Sequence, residues 1–177
     1  MNRTEILIGG VGGQGVVLSG ILLGTAATLF EGKKAVQTQS YSSELRGGSA
    51  RAEVVISEEA VTDPQVRRPD ILIVLAEDAL PKYIGRIKPK GLLVIDSDLV
   101  KGAKPGDYEI LPIPATSIAD KEMGNIVVAN LIILGALIKK TDLLSVEAME
   151  KAIEVSVPKK AINLNLNAFR RGLKLLS

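Results

Sequence analysis

With 177 residues, of which 46% are hydrophobic and 24% charged, the chain suits one globular domain with a real core. Its 22 Lys and Arg against 20 Asp and Glu leave a net charge of +2, and aromatic residues make up 3%. That balance argues against a nucleic-acid surface, which calls for basic stripes and stacking rings. The chain has no Cys and no His. Thiolate metal ligands, disulfides, thiol nucleophiles and the commonest general base are therefore all excluded.

The first apolar run, Glu5 to Ile8, reads as a short buried strand, and Val16 to Phe30 reads as a helix rich in Leu, Ala and Ile. Between them lies Gly9-Gly10-Val11-Gly12-Gly13-Gln14-Gly15, in which Gly10, Gly12 and Gly15 fit the G-x-G-x-x-G spacing. In a strand–turn–helix setting such glycines let backbone N–H groups approach a phosphate with no Cβ in the way, and the helix adds the positive end of its dipole. Gly32 then closes a turn, and Ala35 to Thr38 gives a second strand. A polar loop from Gln39 to Ser49 follows, then a strand from Ala50 to Ile56. The loop is too short for an ordinary crossover helix, so this third strand is expected to pair antiparallel or to sit at an edge.

Asp70 to Leu75 and Gly91 to Asp96 read as buried strands separated by a helix from Glu77 to Ile87. Tyr108 to Leu111 reads as a shorter strand stopped by Pro112 and Pro114. From Ile118 the pattern is helical: Asn125 to Ile138, Val146 to Val155 behind Ser145 as N-cap, and Leu164 to Leu176. Asn163, Asn165 and Asn167 read as a turn and cap before the last helix. The longest apolar stretch, Ile126 to Ile138, contains Asn130 and is too short to span a bilayer. No secretory signal pattern opens the chain, so a cytoplasmic location with no membrane contact is expected. Alternation of strands and helices over residues 1–177 predicts a single α/β domain with a mostly parallel sheet.

A dinucleotide reading of the glycine loop calls for an acid at the end of the second strand to hold ribose hydroxyls, but Gln37-Thr38-Gln39 stands there. The loop from Ser40 to Ser49 leaves the sheet on the same side as the glycine loop, from a neighbouring strand if the order is the usual one. Ser42, Ser43 and Arg46 can then face whatever the glycines cradle, Arg46 as a phosphate or carboxylate partner. The competing reading is a solvated turn in which Arg46 pairs with Glu44. Gly124 and Asn125 supply either an ordinary cap to the apolar helix or a second anion-facing helix start. Asp96 and Asp98 resemble an acidic pair, but Asp-Ser-Asp at a strand end reads better as a turn and cap, and no metal site is assigned.

The glycine loop, the stretch Val36-Gln37-Thr38-Gln39-Ser40-Tyr41-Ser42-Ser43-Glu44-Leu45-Arg46-Gly47-Gly48 and Gly124-Asn125 together resemble the gamma subunit of 2-oxoacid:ferredoxin oxidoreductases. The Gln-Thr-Gln-Ser-Tyr form, with Asp96-Ser97-Asp98, is most similar to the 2-oxoglutarate branch. The resemblance covers nearly the whole chain. It implies a Rossmann-like three-layer domain in a heteromeric enzyme that oxidatively decarboxylates a 2-oxoacid to an acyl-coenzyme A. Alpha and beta subunits would hold thiamine diphosphate, iron–sulfur clusters in a ferredoxin-like delta subunit would carry electrons, and ferredoxin would accept them. The gamma chain would be non-catalytic and would contact coenzyme A through Gly10, Gly12, Gly13, Gly15, Ser42, Ser43 and Asn125, with Arg46 added on electrostatic grounds. Two alternatives stand beside it: a stand-alone NAD(P)-binding protein, and a purely structural subunit.

Overall fold

A computed structural model of the protein describes residues 3–43 and 48–176. Six strands form one sheet: β1 (Arg3–Val11), β2 (Lys34–Tyr41), β3 (Ser49–Ser57), β4 (Ile71–Val74), β5 (Gly91–Asp96) and β6 (Tyr108–Ile113). Their order is β2-β3-β1-β4-β5-β6. The pairs β1·β4, β4·β5 and β5·β6 are parallel. Strand β3 runs against both of its neighbours, β1 and β2.

The antiparallel strand is thus not at the edge. β2 takes the edge, and β3 separates it from β1. A short connection makes this order natural, since consecutive antiparallel strands need only a loop between them whereas parallel neighbours need a crossover. Alternate residues of the central strands serve opposite faces. Ile6 and Ile8 pack with Val54, Ile71, Ile73 and Val94 on one side, and Leu7 packs with Val55, Leu72, Val74 and Leu93 on the other.

The first face is covered by α1 (Val16–Thr25, extended by a π-helical turn at Ala26–Phe30), α3 (Ala115–Met123), α4 (Ala129–Thr141), α5 (Val146–Ser156) and α6 (Ile162–Leu173). Helix α4 is the hub of this layer: every residue from Asn130 to Ile138 is buried. It crosses α6 at Gly135 and Gly172, where a Cβ on either would run into the backbone of the other helix. The opposite layer is thin. It consists of α2 (Leu80–Tyr83) with a 3-10 turn on either side and the segment around Val66.

Several boundaries differ from expectation. β2 runs three residues further, to Tyr41, and β6 carries Pro112 inside it, opposite Ile95. β6 is the outer strand, where a missing N–H breaks no ladder. The helix expected from Glu77 to Ile87 is broken into short turns around Pro81 and Gly85. Helical structure resumes at Ala115. Asn163, Asn165 and Asn167 lie inside α6 rather than before it, and Asn165 satisfies itself by donating from Nδ2 to Ala161 O at 2.8 Å.

Candidate functional site

The glycine loop is partly closed on itself. Gln14 accepts a hydrogen bond from Val11 N at its Oε1 (2.9 Å) and donates from Nε2 to Leu75 O (2.7 Å). Gly10 lies beneath that side chain: a Cβ there would stand 2.6 Å from Gln14 Oε1 and 2.9 Å from Val16 Cγ2. Packing against Gln14 therefore requires a glycine at position 10. Gly12 N donates to Gly48 O at 2.9 Å, tying the loop to the lead-in of β3.

Gly13 and Gly15 hold φ of 90° and 74°, the left-handed region that suits glycine. Gly13 has nothing within 4 Å of where a Cβ would be, whereas one on Gly15 would lie 2.6 Å from Asn130 Cγ. Asn130, the first buried residue of α4, donates from Nδ2 to Gly15 O (3.3 Å) and to Ser19 Oγ (3.2 Å). The amide thus fastens the start of α4 to the start of α1. No side chain caps α1, and its first turn holds no acid. The leading N–H groups of Val16, Val17 and Leu18 have no intrahelical acceptor, and they sit at the positive end of the helix dipole.

These groups open on a cleft of about 410 Å³. Its walls are Gly12, Gly13 and Gly15 of the loop, Tyr41 at the end of β2, Asn125 and Val127 before α4, and Val157, Pro158, Leu164 and Asn165 around the start of α6. No charged side chain lines it among the described residues. Exposed Lys159 and Lys160 lie in the turn between Pro158 and Ala161, two of its lining residues. A cleft whose described lining residues carry no charge, with helix-start N–H groups on one wall and lysines adjacent in the chain, suits an anionic ligand with apolar parts.

The predicted residues do not all gather there. Gly12, Gly13, Gly15 and Asn125 line the cleft, while Gly10 opens on a separate recess of about 160 Å³ beside Asp78, Lys82 and Tyr83. Asn125 also performs the capping task, its Oδ1 accepting from Val127 N at 3.0 Å. Ser42 is half-buried with an unpartnered Oγ and its N–H bonded to Ser49 O, and Ser43 is exposed. Neither serine lines the cleft, and Tyr41 does so in their place. Arg46 lies outside the described residues. Asp96 and Asp98 act as turn and cap: Thr116 Oγ1 donates to Asp96 Oδ2 (2.6 Å), Asp98 N donates to Asp96 Oδ1 (3.1 Å), and Ser117 N donates to Asp98 Oδ2 (2.6 Å). Burial pushes the Asp96 carboxyl above its usual value against the pull of those bonds.

Asn130 and Gln14 were not anticipated. A polar residue inside the apolar run Ile126 to Ile138 was the available signal for Asn130, because a buried amide in a helix demands partners. Gln14 gave no signal of its own; only the fold brings Leu75 O to it.

A family model described as pyruvate ferredoxin/flavodoxin oxidoreductase matches residues 5–175. The chain is 46% identical to the 2-oxoglutarate synthase subunit KorC of Methanocaldococcus jannaschii, over 98% of this chain and 94% of that one. It is 32% identical to the ketoisovalerate oxidoreductase subunit VorA of Methanothermobacter marburgensis, of which it covers 36%. Among solved structures, the keto/oxoacid ferredoxin oxidoreductase gamma subunit of Geobacter sulfurreducens superposes with a TM-score of 0.86 at 38% identity, covering 98% of each chain. The 2-oxoglutarate:ferredoxin oxidoreductase of Magnetococcus marinus, solved with 2-oxoglutarate, coenzyme A and succinyl-CoA, gives 0.89 at 25% identity, covering 99% of this chain and 31% of that one.

Proposed function

The chain belongs to the pyruvate ferredoxin/flavodoxin oxidoreductase family, and we propose that it is the gamma subunit of a 2-oxoglutarate:ferredoxin oxidoreductase whose glycine-loop cleft holds the phosphate-bearing half of coenzyme A. The observation that carries this reading is the uncapped, acid-free start of α1 opening, beside Gly13, onto a cleft whose described lining residues carry no charge. A diphosphate accepts hydrogen bonds from such N–H groups and gains from the dipole, and a Cβ-free loop lets it approach closely. Exposed Lys159 and Lys160, between the lining residues Pro158 and Ala161 in the chain, add positive charge that favours a further phosphate.

Bound coenzyme A supplies the thiol that takes the acyl group. The residues of this chain orient it: the loop and helix fix the nucleotide, so the thiol arrives at a partner's reaction centre by proximity rather than by proton transfer. With no Cys and no His, the redox and carbanion steps rest on other subunits: alpha and beta with thiamine diphosphate, and a ferredoxin-like delta subunit with iron–sulfur clusters that passes electrons to ferredoxin. The assembly works in the cytoplasm.

Gly12→Ala tests this reading. Among the described residues only Gly48 O, at 3.8 Å, lies near that Cβ, so the methyl meets no close contact there while the cleft gains it. In the assembled enzyme the KM for coenzyme A rises about fivefold, on the order of 1 kcal/mol, and the KM for the 2-oxoacid stays put. An unchanged KM for coenzyme A favours a purely structural loop, a reading to which the internal Gln14 closure lends weight. Tight NADH binding by the chain alone favours the dinucleotide reading.

A further inference from the structure

Beside the main cleft, at the carboxyl ends of β4 and β5, lies a second cavity of about 190 Å³. Gly13, Val127 and Asn130 form the wall that the two share. Their chemistry is opposite. Among the described residues, the main cleft offers N–H donors and no carboxylate, whereas the second has apolar sides at Leu75, Leu99 and Ile126 and a single charged lining residue, Asp96.

Asn130, in the wall that the two cavities share, carries an unmet acceptor. Asn130 is 3% exposed and both of its bonds are made through Nδ2, so its Oδ1 is buried without a partner. A buried carbonyl oxygen of this kind calls for an N–H or O–H donor. A phosphate has none to give at neutral pH and is repelled by Asp96.

Resting on the coenzyme A reading above, we propose that the second cavity receives the pantetheine arm of coenzyme A, with Asn130 Oδ1 accepting from one of its amide N–H groups. The arm is the part of the molecule that fits: it is uncharged, carries two secondary amides and one hydroxyl on an aliphatic chain that ends in the thiol, while every phosphate belongs to the nucleotide half. Asn130 would then be the hinge of the site, holding the phosphate loop through Nδ2 and the arm through Oδ1. The exposed Leu99 and Ile126 at the cavity (40% and 57% exposed) mark the side on which the arm would continue toward a partner subunit.

The absence of cysteine makes the test direct. Leu99→Cys places a single thiol of this chain at the second cavity, and Val157→Cys places one at the main cleft alone. Each variant, in the assembled enzyme, is alkylated with N-ethylmaleimide and read by the intact mass of this chain. The ligands are desulfo-coenzyme A, which keeps both amides, and 3′-phosphoadenosine 5′-diphosphate, which lacks the arm. At about ten times its dissociation constant, desulfo-coenzyme A slows alkylation of L99C about tenfold and the nucleotide half leaves it unchanged. Both ligands protect V157C. Protection of V157C without protection of L99C overturns the arm's placement and leaves the coenzyme A reading standing. Protection of L99C by the nucleotide half overturns it too, by putting the wrong end in the cavity. Failure of either ligand to protect V157C removes the coenzyme A reading and the proposal with it.

Discussion

Gly15→Ala is the most informative single perturbation, because two independent costs meet at that atom. The residue sits at φ 74° and ψ 23° as the cap of α1, and an alanine held in that region costs about 1 kcal/mol. The new Cβ would also stand 2.6 Å from Asn130 Cγ, so the amide must turn away and give up its bonds to Gly15 O and Ser19 Oγ. Losing those bonds and burying an unpaired amide costs about 2 kcal/mol. The sum, about 3 kcal/mol, corresponds to a fall in Tm of about 9 °C for a domain of this size. Urea unfolding of the full-length chain measures it, and Asn130→Ala closes a double-mutant cycle. With the amide removed, Gly15→Ala costs only the backbone part, about 1 kcal/mol, so the cycle shows a coupling of about 2 kcal/mol. A total loss below about 1 kcal/mol, or strictly additive effects, refutes the idea that Asn130 fastens the loop.

Asn125→Asp keeps an oxygen for Val127 N, so stability holds, but it puts a carboxylate on the cleft wall; the KM for coenzyme A then rises about fivefold, and an unchanged KM contradicts an anion in the cleft. Replacing Lys159 and Lys160 together by Ala weakens coenzyme A binding and flattens its dependence on salt, as a titration at several ionic strengths reports. Gly135→Ala forces α4 off the backbone of α6 at Phe169 and Leu173 and costs about 3 kcal/mol in thermal unfolding. Because burial holds Asp96 above its usual 3.8, the folded chain carries more protons than the unfolded one in the pH window above that value. Unfolding free energy therefore declines as pH rises through the window. Asp96→Asn, whose amide can still serve Thr116 and Asp98 N, removes that decline, and urea midpoints against pH measure it.

Local signals in the sequence were strong where a residue's environment is set by its chain neighbours. The strand Gly91 to Asp96 and the Ser145 cap, whose Oγ accepts from Ala148 N at 3.1 Å, fall where the pattern puts them. The α/β class and the glycine turn between β1 and α1 follow from the same short-range logic. What the pattern could not supply is order across the sheet. Nothing in Lys34 to Tyr41 says that β3 intervenes between it and β1, yet that arrangement brings Tyr41, rather than Ser42 or Ser43, to the cleft. Gly10 matches the phosphate-loop spacing but answers to Gln14 and Leu75, contacts made only once β4 lies beside β1. The wall built by Val157, Pro158 and Leu164 is likewise long-range, brought in where α6 crosses α4 at Gly135 and Gly172.

Equilibrium dialysis of labelled coenzyme A against the assembled enzyme tests the central claim most directly, comparing complexes that carry the wild-type chain with complexes that carry Gly12→Ala. The account predicts an equally assembled complex whose dissociation constant for coenzyme A is raised about fivefold, on the order of 1 kcal/mol. Equal dissociation constants for the two complexes would contradict it.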